Sequence, residues 1–297
     1  MKKSKIDEGR GYRIFTVFNT ILMIAILIAT AYPVYYVLIA SISDPQQMAA
    51  NYGLMLAPKF PLSVRSYEMV FKYPLILTGY ANTLFIVVAG LAVNMVMTIL
   101  GAYFMTLNKS MLHKPVAVLI LFSMYFSGGM VPTYLNIKSL GLMDSLWSLI
   151  IPSAISTYNL LVLRSAFAAV PGGLVEAAVL DGASHFKILR HVMVPLSGAT
   201  LAVIVLYYGV GHWNSWFNAS IYIQSTAKFP LQLVLRRILI LNQNAEMNSG
   251  MDSGEAAQLA ELIKYALIVV STAPILCLYP FLQRFFVKGV MVGAVKG

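Results

Sequence analysis

The residues best equipped for chemistry lie in one polar stretch, Glu176-Ala-Ala-Val-Leu-Asp-Gly182, which returns to apolar sequence through Val192-Met-Val-Pro195. Glu176 can offer charge-assisted hydrogen bonds to an Arg or Lys of a partner. Ala177 and Ala178 let a helix backbone lie close in a groove, and Gly182 permits a sharp turn. That is the chemistry of docking. Catalysis is poorly served, because Glu176 and Asp181 stand five residues apart and fall on different faces of a helix. No Gly-x-x-x-x-Gly-Lys-Ser/Thr phosphate cradle occurs, so the chain is not an ATP-hydrolysing subunit, and no His, Cys and carboxylate cluster has metal spacing. Propensities predict a helix over Val175–Leu180, a break at Gly182, and a second helix capped by Ser184 and running to about Val192. Pro195 marks the start of the next membrane segment. An ordinary amphipathic loop with a charged surface is the competing reading.

A second group of candidates stands in Tyr207-Tyr-Gly-Val-Gly-His-Trp-Asn-Ser-Trp-Phe-Asn218. On one helix, Trp213 and Trp216 share a face at i, i+3, beside Phe217. Flat rings suit the apolar faces of sugars, and Asn214 and Asn218 can bond hydroxyls. The same residues also fit an aromatic belt at the outer interface with amide-mediated helix packing. Tyr125 joins the candidate solute path. It is one of several scattered polar groups, with Asn82, Asn94, Thr98, Asn136 and Asn159, for most of which interhelical hydrogen bonding is expected. Gly90 and Gly101 read as points of close helix approach.

The elements that position these groups are membrane helices. The chain is 59% hydrophobic and 11% charged, with mean hydropathy +0.76. Six runs pass about 20 residues without a charge: Ile14–Ser43, Tyr73–Asn108, Pro115–Ile137, Ser145–Leu163, Val192–Ala227 and Tyr265–Gln283. Each is expected to hold one helix, and the first, lacking a small-residue cleavage site, reads as a retained anchor. The fold class is therefore an all-α integral membrane protein with six transmembrane helices. It comprises an N-tail over 1–12, a membrane domain over 13–287 with its polar loop at about 164–195, and a C-tail over 288–297. Of 21 Lys and Arg, 13 fall on the side of both termini and the polar loop, which the positive-inside rule makes cytoplasmic. The net charge of +10 is spread over membrane-flanking segments, so it calls for anionic lipid headgroups and not nucleic acid. The single Cys277, inside the last span, excludes a disulfide within the chain. On the outer side, the 224–264 loop is too long for a simple connection.

Together with the polar loop and the Trp-Asn-x-Trp segment, the C-terminus Tyr279-Pro-Phe-Leu-Gln-Arg-Phe-Phe-Val-Lys-Gly-Val-Met-Val-Gly-Ala-Val-Lys-Gly297 resembles that of the MalG-like permeases of binding-protein-dependent carbohydrate ABC importers, in their oligosaccharide and polysaccharide-fragment subgroup. The polar loop is similar to their EAA coupling loop, with Val192 and Val194 where Ile and Leu are usual, and Pro171-Gly-Gly173 where polar helix starters are usual. The resemblance implies that Glu176, Ala177, Ala178, Asp181, Gly182 and Pro195 couple the chain to a cytoplasmic ATPase. It implies a second homologous permease, two ATP-binding subunits, an extracytoplasmic solute-binding protein, a carbohydrate substrate and a place in the bacterial cytoplasmic membrane. ATP and Mg belong to the partner ATPase, with no cofactor in this chain. Gly289, Gly293 and Gly297 would suit a tail reaching the ATPase. The alternative substrates are amino acids, peptides or phosphonates. A membrane enzyme or ion-coupled carrier would need ionisable groups inside the spans, where only His212 is found.

Overall fold

The computed structural model describes residues 9–44, 47–48, 53–107, 111–248 and 263–277. The C-terminal segment with Gly289, Gly293 and Gly297, the end of the expected sixth span, the polar centre of the 224–264 loop from 249 onward and most of the N-tail lie outside them. Among the described residues every regular element is helical. In chain order these are α1 (Arg10–Ser41), α2 (Arg65–Lys72), α3 (Pro74–Phe104), α4 (His113–Tyr125), α5 (Met130–Ser139), α6 (Thr157–Ala168) and α7 (Gly172–Leu180). They continue with α8 (His185–Leu196), α9 (Gly198–Trp213), α10 (Trp216–Tyr222), α11 (Leu231–Asn248) and α12 (Ile263–Cys277).

The chain forms two compact units, 1–72 with 241–270, and 73–240 with 271–297. In the first, α1 exposes apolar side chains along most of its length, as a lipid-facing helix must. Its end is anchored by Ile39, Ala40, Met48 and Met55, with Tyr36 and Tyr265 packed against them. The hydroxyls of Ser41 and Tyr67 are 2.7 Å apart, and Ser66 Oγ donates to Ser41 O.

The second unit is built around α3, which packs along α9 and α6. Pro74 starts this helix at a position where a missing N–H costs nothing. Besides Tyr103, its buried positions are Ile76, Gly79, Thr83, Ile86, Gly90, Asn94, Thr98 and Ala102, a three- and four-residue rhythm that places them on one face. The face is small and polar, so neighbouring backbones approach closely. A Cβ on Gly79 would lie 3.1 Å from Leu231 Cα, and one on Gly101 would lie 2.9 Å from Leu160 Cδ1. Toward the polar-loop end the core consists of Ala102, Tyr103, Leu163, Phe167, Ile188, Leu189, Met193, Leu201, Ile204 and Tyr208.

Three of the six expected runs are not single straight helices. Pro115–Ile137 becomes α4 and α5, bent by 119° across Phe126–Gly129, where Gly129 takes φ +82°. In Ser145–Leu163, two short 3₁₀ turns around Pro152 meet α6 at 47°. Helix α6 then runs on to Ala168, beyond the expected end. Val192–Ala227 divides into the end of α8, then α9 and α10, with an 84° bend between α8 and α9. Two described helices, at Gly11–Ser41 and Pro74–Phe104, are long and apolar enough to cross a membrane unbroken.

Candidate coupling surface and solute cavity

Helix α7 begins at Gly172, three residues before the expected start, with Pro171 at its N-cap and no side-chain cap there. Its C-terminus is a Schellman motif: Gly182 N–H donates to Val179 O at 3.0 Å and Ala183 N–H to Ala178 O at 2.9 Å. This requires Gly182 in the left-handed region, and its φ is +75°. Val175, Ala178 and Ala183 pack inward against the core. The opposite face presents Glu176, Val179 and Leu180 at i, i+3, i+4, all exposed, with Leu180 88% exposed. Ala177, Asp181 and Gly182 are exposed beside them, and Phe186 follows at 65%. Glu176 has no hydrogen-bonding or ionic partner among the described residues. The result is an apolar ledge with one unpaired carboxylate.

Helix α8 follows Ser184, whose side chain makes no capping bond. Its first residue is held instead through His185 Nδ1, 3.0 Å from Tyr103 Oη on α3. Arg164 Nε donates to Met105 O, joining α6 to the same end of α3. Within α8, Leu189–Met193 is a π turn, and Pro195, lacking an N–H to give the preceding turn, accounts for the widening. The helix continues through Pro195 to Leu196 and bends at Ser197, so the apolar helix starts two to three residues later than the proline implies.

A cavity of about 730 Å³ lies between the 149–159 segment and the α9–α10 region. Two hydrogen-bonded chains form its wall. His212 Nε2 is 2.6 Å from Asn94 Oδ1, and Asn94 Nδ2 donates to Ser153 O. Tyr208 Oη is 2.8 Å from Thr98 Oγ1 and accepts from Ser156 N. Gly90 makes the first chain possible, because a Cβ there would meet His212 Nε2 at 2.5 Å. Asn214 and Asn218 line the cavity with Asn159, Tyr158, Tyr207 and Phe217. Asn214 Nδ2 is used on Val210 O of its own helix. Phe217 and Asn218 also border a second cavity of about 330 Å³ beside α5.

The tryptophans are placed differently from the expectation of a shared helical face. The helix breaks at Asn214–Ser215, between α9 and α10, so i, i+3 geometry does not hold there. Trp213 is 5% exposed, donates from Nε1 to Ser271 O, and meets Tyr80 edge-on. Trp216 lies under Arg236, whose guanidinium carbon is 3.7 Å from the ring centroid. Neither lines the cavity, and neither does Tyr125, which is 78% exposed. Among the scattered polar groups, Asn82 donates to Ala227 O and Phe229 O, while Asn94 and Thr98 bond as above. From the sequence, Asn94 and Thr98 stood out only as scattered polar groups expected to bond between helices. Tyr208 and His212 lay within the candidate segment 207–218, and Ser156 carried no separate signal.

Beyond the cavity, Asp144 is tied to the 224–228 segment. Oδ1 accepts from the N–H groups of Gln224 and Ser225, while Oδ2 accepts from Ser225 Oγ and Lys228 Nζ at 2.6 and 3.1 Å. The Ser225 hydroxyl and N–H, with the Lys228 ammonium, hold this carboxyl well below the usual carboxylate range.

No protein-family model matches the chain. It is 38% identical over 292 residues to protein LplC of Bacillus subtilis, covering 98% of each chain. It is 36% identical over 286 residues to the polygalacturonan/rhamnogalacturonan transport system permease protein YtcP of Bacillus subtilis, covering 95% of this chain and 97% of that one. This chain belongs to the carbohydrate ABC importer permeases. The crystal structure of a bacterial ABC transporter involved in import of the acidic polysaccharide alginate matches this permease at TM-score 0.84 and 28% identity, covering 94% and 98% of the two chains. The permease is a transport subunit that moves a carbohydrate, and its ATPase is a separate subunit. The amino-acid and peptide alternatives fall away.

Proposed function

We propose that this permease is one of two homologous membrane subunits of an importer for acidic oligosaccharides. In this reading it crosses the bacterial cytoplasmic membrane six times with both termini in the cytoplasm. Two ATP-binding subunits, which carry ATP and Mg, dock on α7 and α8, and an extracytoplasmic binding protein delivers the saccharide. The observation that carries the docking role is the exposed Glu176, Val179, Leu180 ledge, set at a fixed angle by the Gly182 turn. Glu176, Ala177, Ala178, Asp181 and Gly182 would meet the ATPase, and Pro195 would shape the connection into α9.

Closure of the ATPases would push this ledge as a rigid body. The push has a continuous route, since Val175 and Ala178 pack on the core that includes Leu189 and Met193 of α8 and Leu201 of α9. At the far end of α9, the neutral amides and ring faces of Asn159, Asn214, Asn218, Tyr158 and Phe217 suit hydroxyls and pyranose faces. The acidic substrate class is supported by the polygalacturonan relative and the alginate transporter.

The test is uptake in proteoliposomes by the importer reconstituted with its co-purifying subunits and binding protein. Trigalacturonate should be imported at the expense of ATP, and Glu176→Ala should lower transport without loss of membrane insertion. Uptake of neutral maltotriose but of no acidic oligosaccharide would sink the substrate assignment.

A further inference from the structure

The described residues that line the cavity include no Lys, Arg, Asp or Glu, and the one basic side chain among them, His212, has its Nε2 on Asn94 Oδ1. Hydroxyls and ring faces have partners there, whereas a uronate carboxylate has none of opposite charge. Cations follow Asn218 in the segment running from α10 into α11. Lys228 is already neutralised by Asp144 at 3.1 Å. Arg236 and Arg237 are not: both are exposed, and among the described residues neither guanidinium has a carboxylate partner or a hydrogen bond.

Both guanidiniums are nevertheless held in place. Arg236 lies 3.7 Å over the Trp216 ring and Arg237 lies 4.2 Å over the Phe229 ring. An aromatic shelf occupies one face of a guanidinium and leaves its planar edge of N–H donors free. That edge matches a carboxylate in two parallel hydrogen bonds. The Arg236 shelf also joins the cavity, because Trp216 meets Phe217 edge-on at 5.5 Å and Phe217 lines the cavity. Neighbouring positions on a helix diverge by about 100°, so the two forks address separate carboxylates and not one.

We infer that Arg236 and Arg237, shelved on Trp216 and Phe229, form a carboxylate-binding site beside the cavity that takes successive uronate units of an acidic oligosaccharide. The inference rests on the importer reading above and adds to it where charge is recognised. The cavity meets the neutral parts of the sugar, and the two arginines meet its carboxylates.

Calorimetric titration of the purified permease complex, without its binding protein, tests this site directly. The probes are trigalacturonate and its trimethyl ester, which keeps the rings and removes the charge. Trigalacturonate should bind the wild type about tenfold or more tightly than the ester, with the difference shrinking as salt rises. Arg236→Gln with Arg237→Gln should abolish that preference while leaving ester binding as it was. Arg236→Lys with Arg237→Lys, which keeps charge and loses the fork, should retain part of it. Size-exclusion chromatography confirms that each variant complex is assembled. Equal binding of acid and ester by the wild type overturns the site, as does absence of binding or a preference that survives the double Gln variant. Uptake of trigalacturonate by an importer that fails these titrations refutes the site alone. Failure of the importer to take up any acidic oligosaccharide refutes the parent reading, and the inference falls with it.

Discussion

Substitution of Gly182 separates the shape of the turn after α7 from what that turn touches. Gly182 closes the Schellman motif of α7 at φ +75°, and an added Cβ would meet nothing within 4 Å. In the isolated permease the cost of a side chain is therefore backbone strain alone, about 1–2 kcal/mol for a residue with a Cβ in the left-handed region. That is roughly a 5–30-fold loss in the population of the native turn. Gly182→Ala and Gly182→Leu should lower the thermal stability of the isolated permease equally, and Gly182→Asn should lower it least, because Asn tolerates this conformation.

In the assembled importer the ledge of Glu176, Val179 and Leu180 depends on the same turn for its angle. ATP hydrolysed per saccharide imported, measured in proteoliposomes, should rise for Ala and rise little for Asn. If Leu is then much worse than Ala in the complex but equal to it in isolation, a partner surface fills the space that is open in the single chain. Wild-type coupling in the Ala variant would refute the reasoning, since it would mean that the ledge works without its turn.

Gly90→Ala should drive the imidazole of His212 off Asn94, because its Cβ would fall 2.5 Å from Nε2. A stability loss of about 1–3 kcal/mol is expected, and an unchanged melting temperature would show that the His212–Asn94 bond does not hold α3 to α9. Trp213→Leu removes the bond to Ser271 O and the edge contact with Tyr80, so it should lower thermal stability while uptake per folded molecule stays near wild type. A selective loss of transport would instead put Trp213 on the solute path. Asn218→Ala should do the reverse, reducing uptake with little change in melting. Asp144 has a folded pKa below its unfolded value, so its contribution is complete above about pH 4 and is lost as pH falls below that. Melting curves of wild type and Asp144→Asn should therefore differ at neutral pH and converge under acid; a gap of constant size down to pH 3 would contradict the assignment.

Those features that depend on local sequence were legible before the structure. Uncharged length marked where the chain is apolar enough to cross a membrane, and Gly182 was recognisable as a turn because glycine enters the left-handed region without the steric cost of a Cβ. The bends were not legible. In Pro115–Ile137 the Gly128-Gly129 pair reads equally well as small residues for close helix packing, and hydropathy does not distinguish the two uses. In the α9–α10 segment, Trp213 and Trp216 share a face only if the helix continues. The turn at Asn214 and Ser215 decides otherwise, and nothing in that tetrapeptide forbids a helix. Trp213 is drawn instead toward Ser271, 58 positions away in the chain, a contact that periodicity cannot anticipate.

The same break explains why the candidate solute residues do not behave as a block. Tyr208 and His212 stand before it: Tyr208 is bonded to Thr98 of α3 and to Ser156, and His212 to Asn94 of α3, which itself donates to Ser153 O. They therefore belong to one rigid body with the core under α7, whose members Leu201, Ile204 and Tyr208 lie on the same helix. Phe217 and Asn218 stand after the break, on the short helix α10, and border both cavities. In the proposed mechanism, a displacement of the 176–180 ledge would reach the Tyr208 and His212 wall through this packed core, while the Phe217 and Asn218 wall is joined to it through Asn214 and Ser215. Two walls of one cavity connected by a non-helical joint can change their separation without breaking a helix, and under the proposed function that change would release a saccharide held between them.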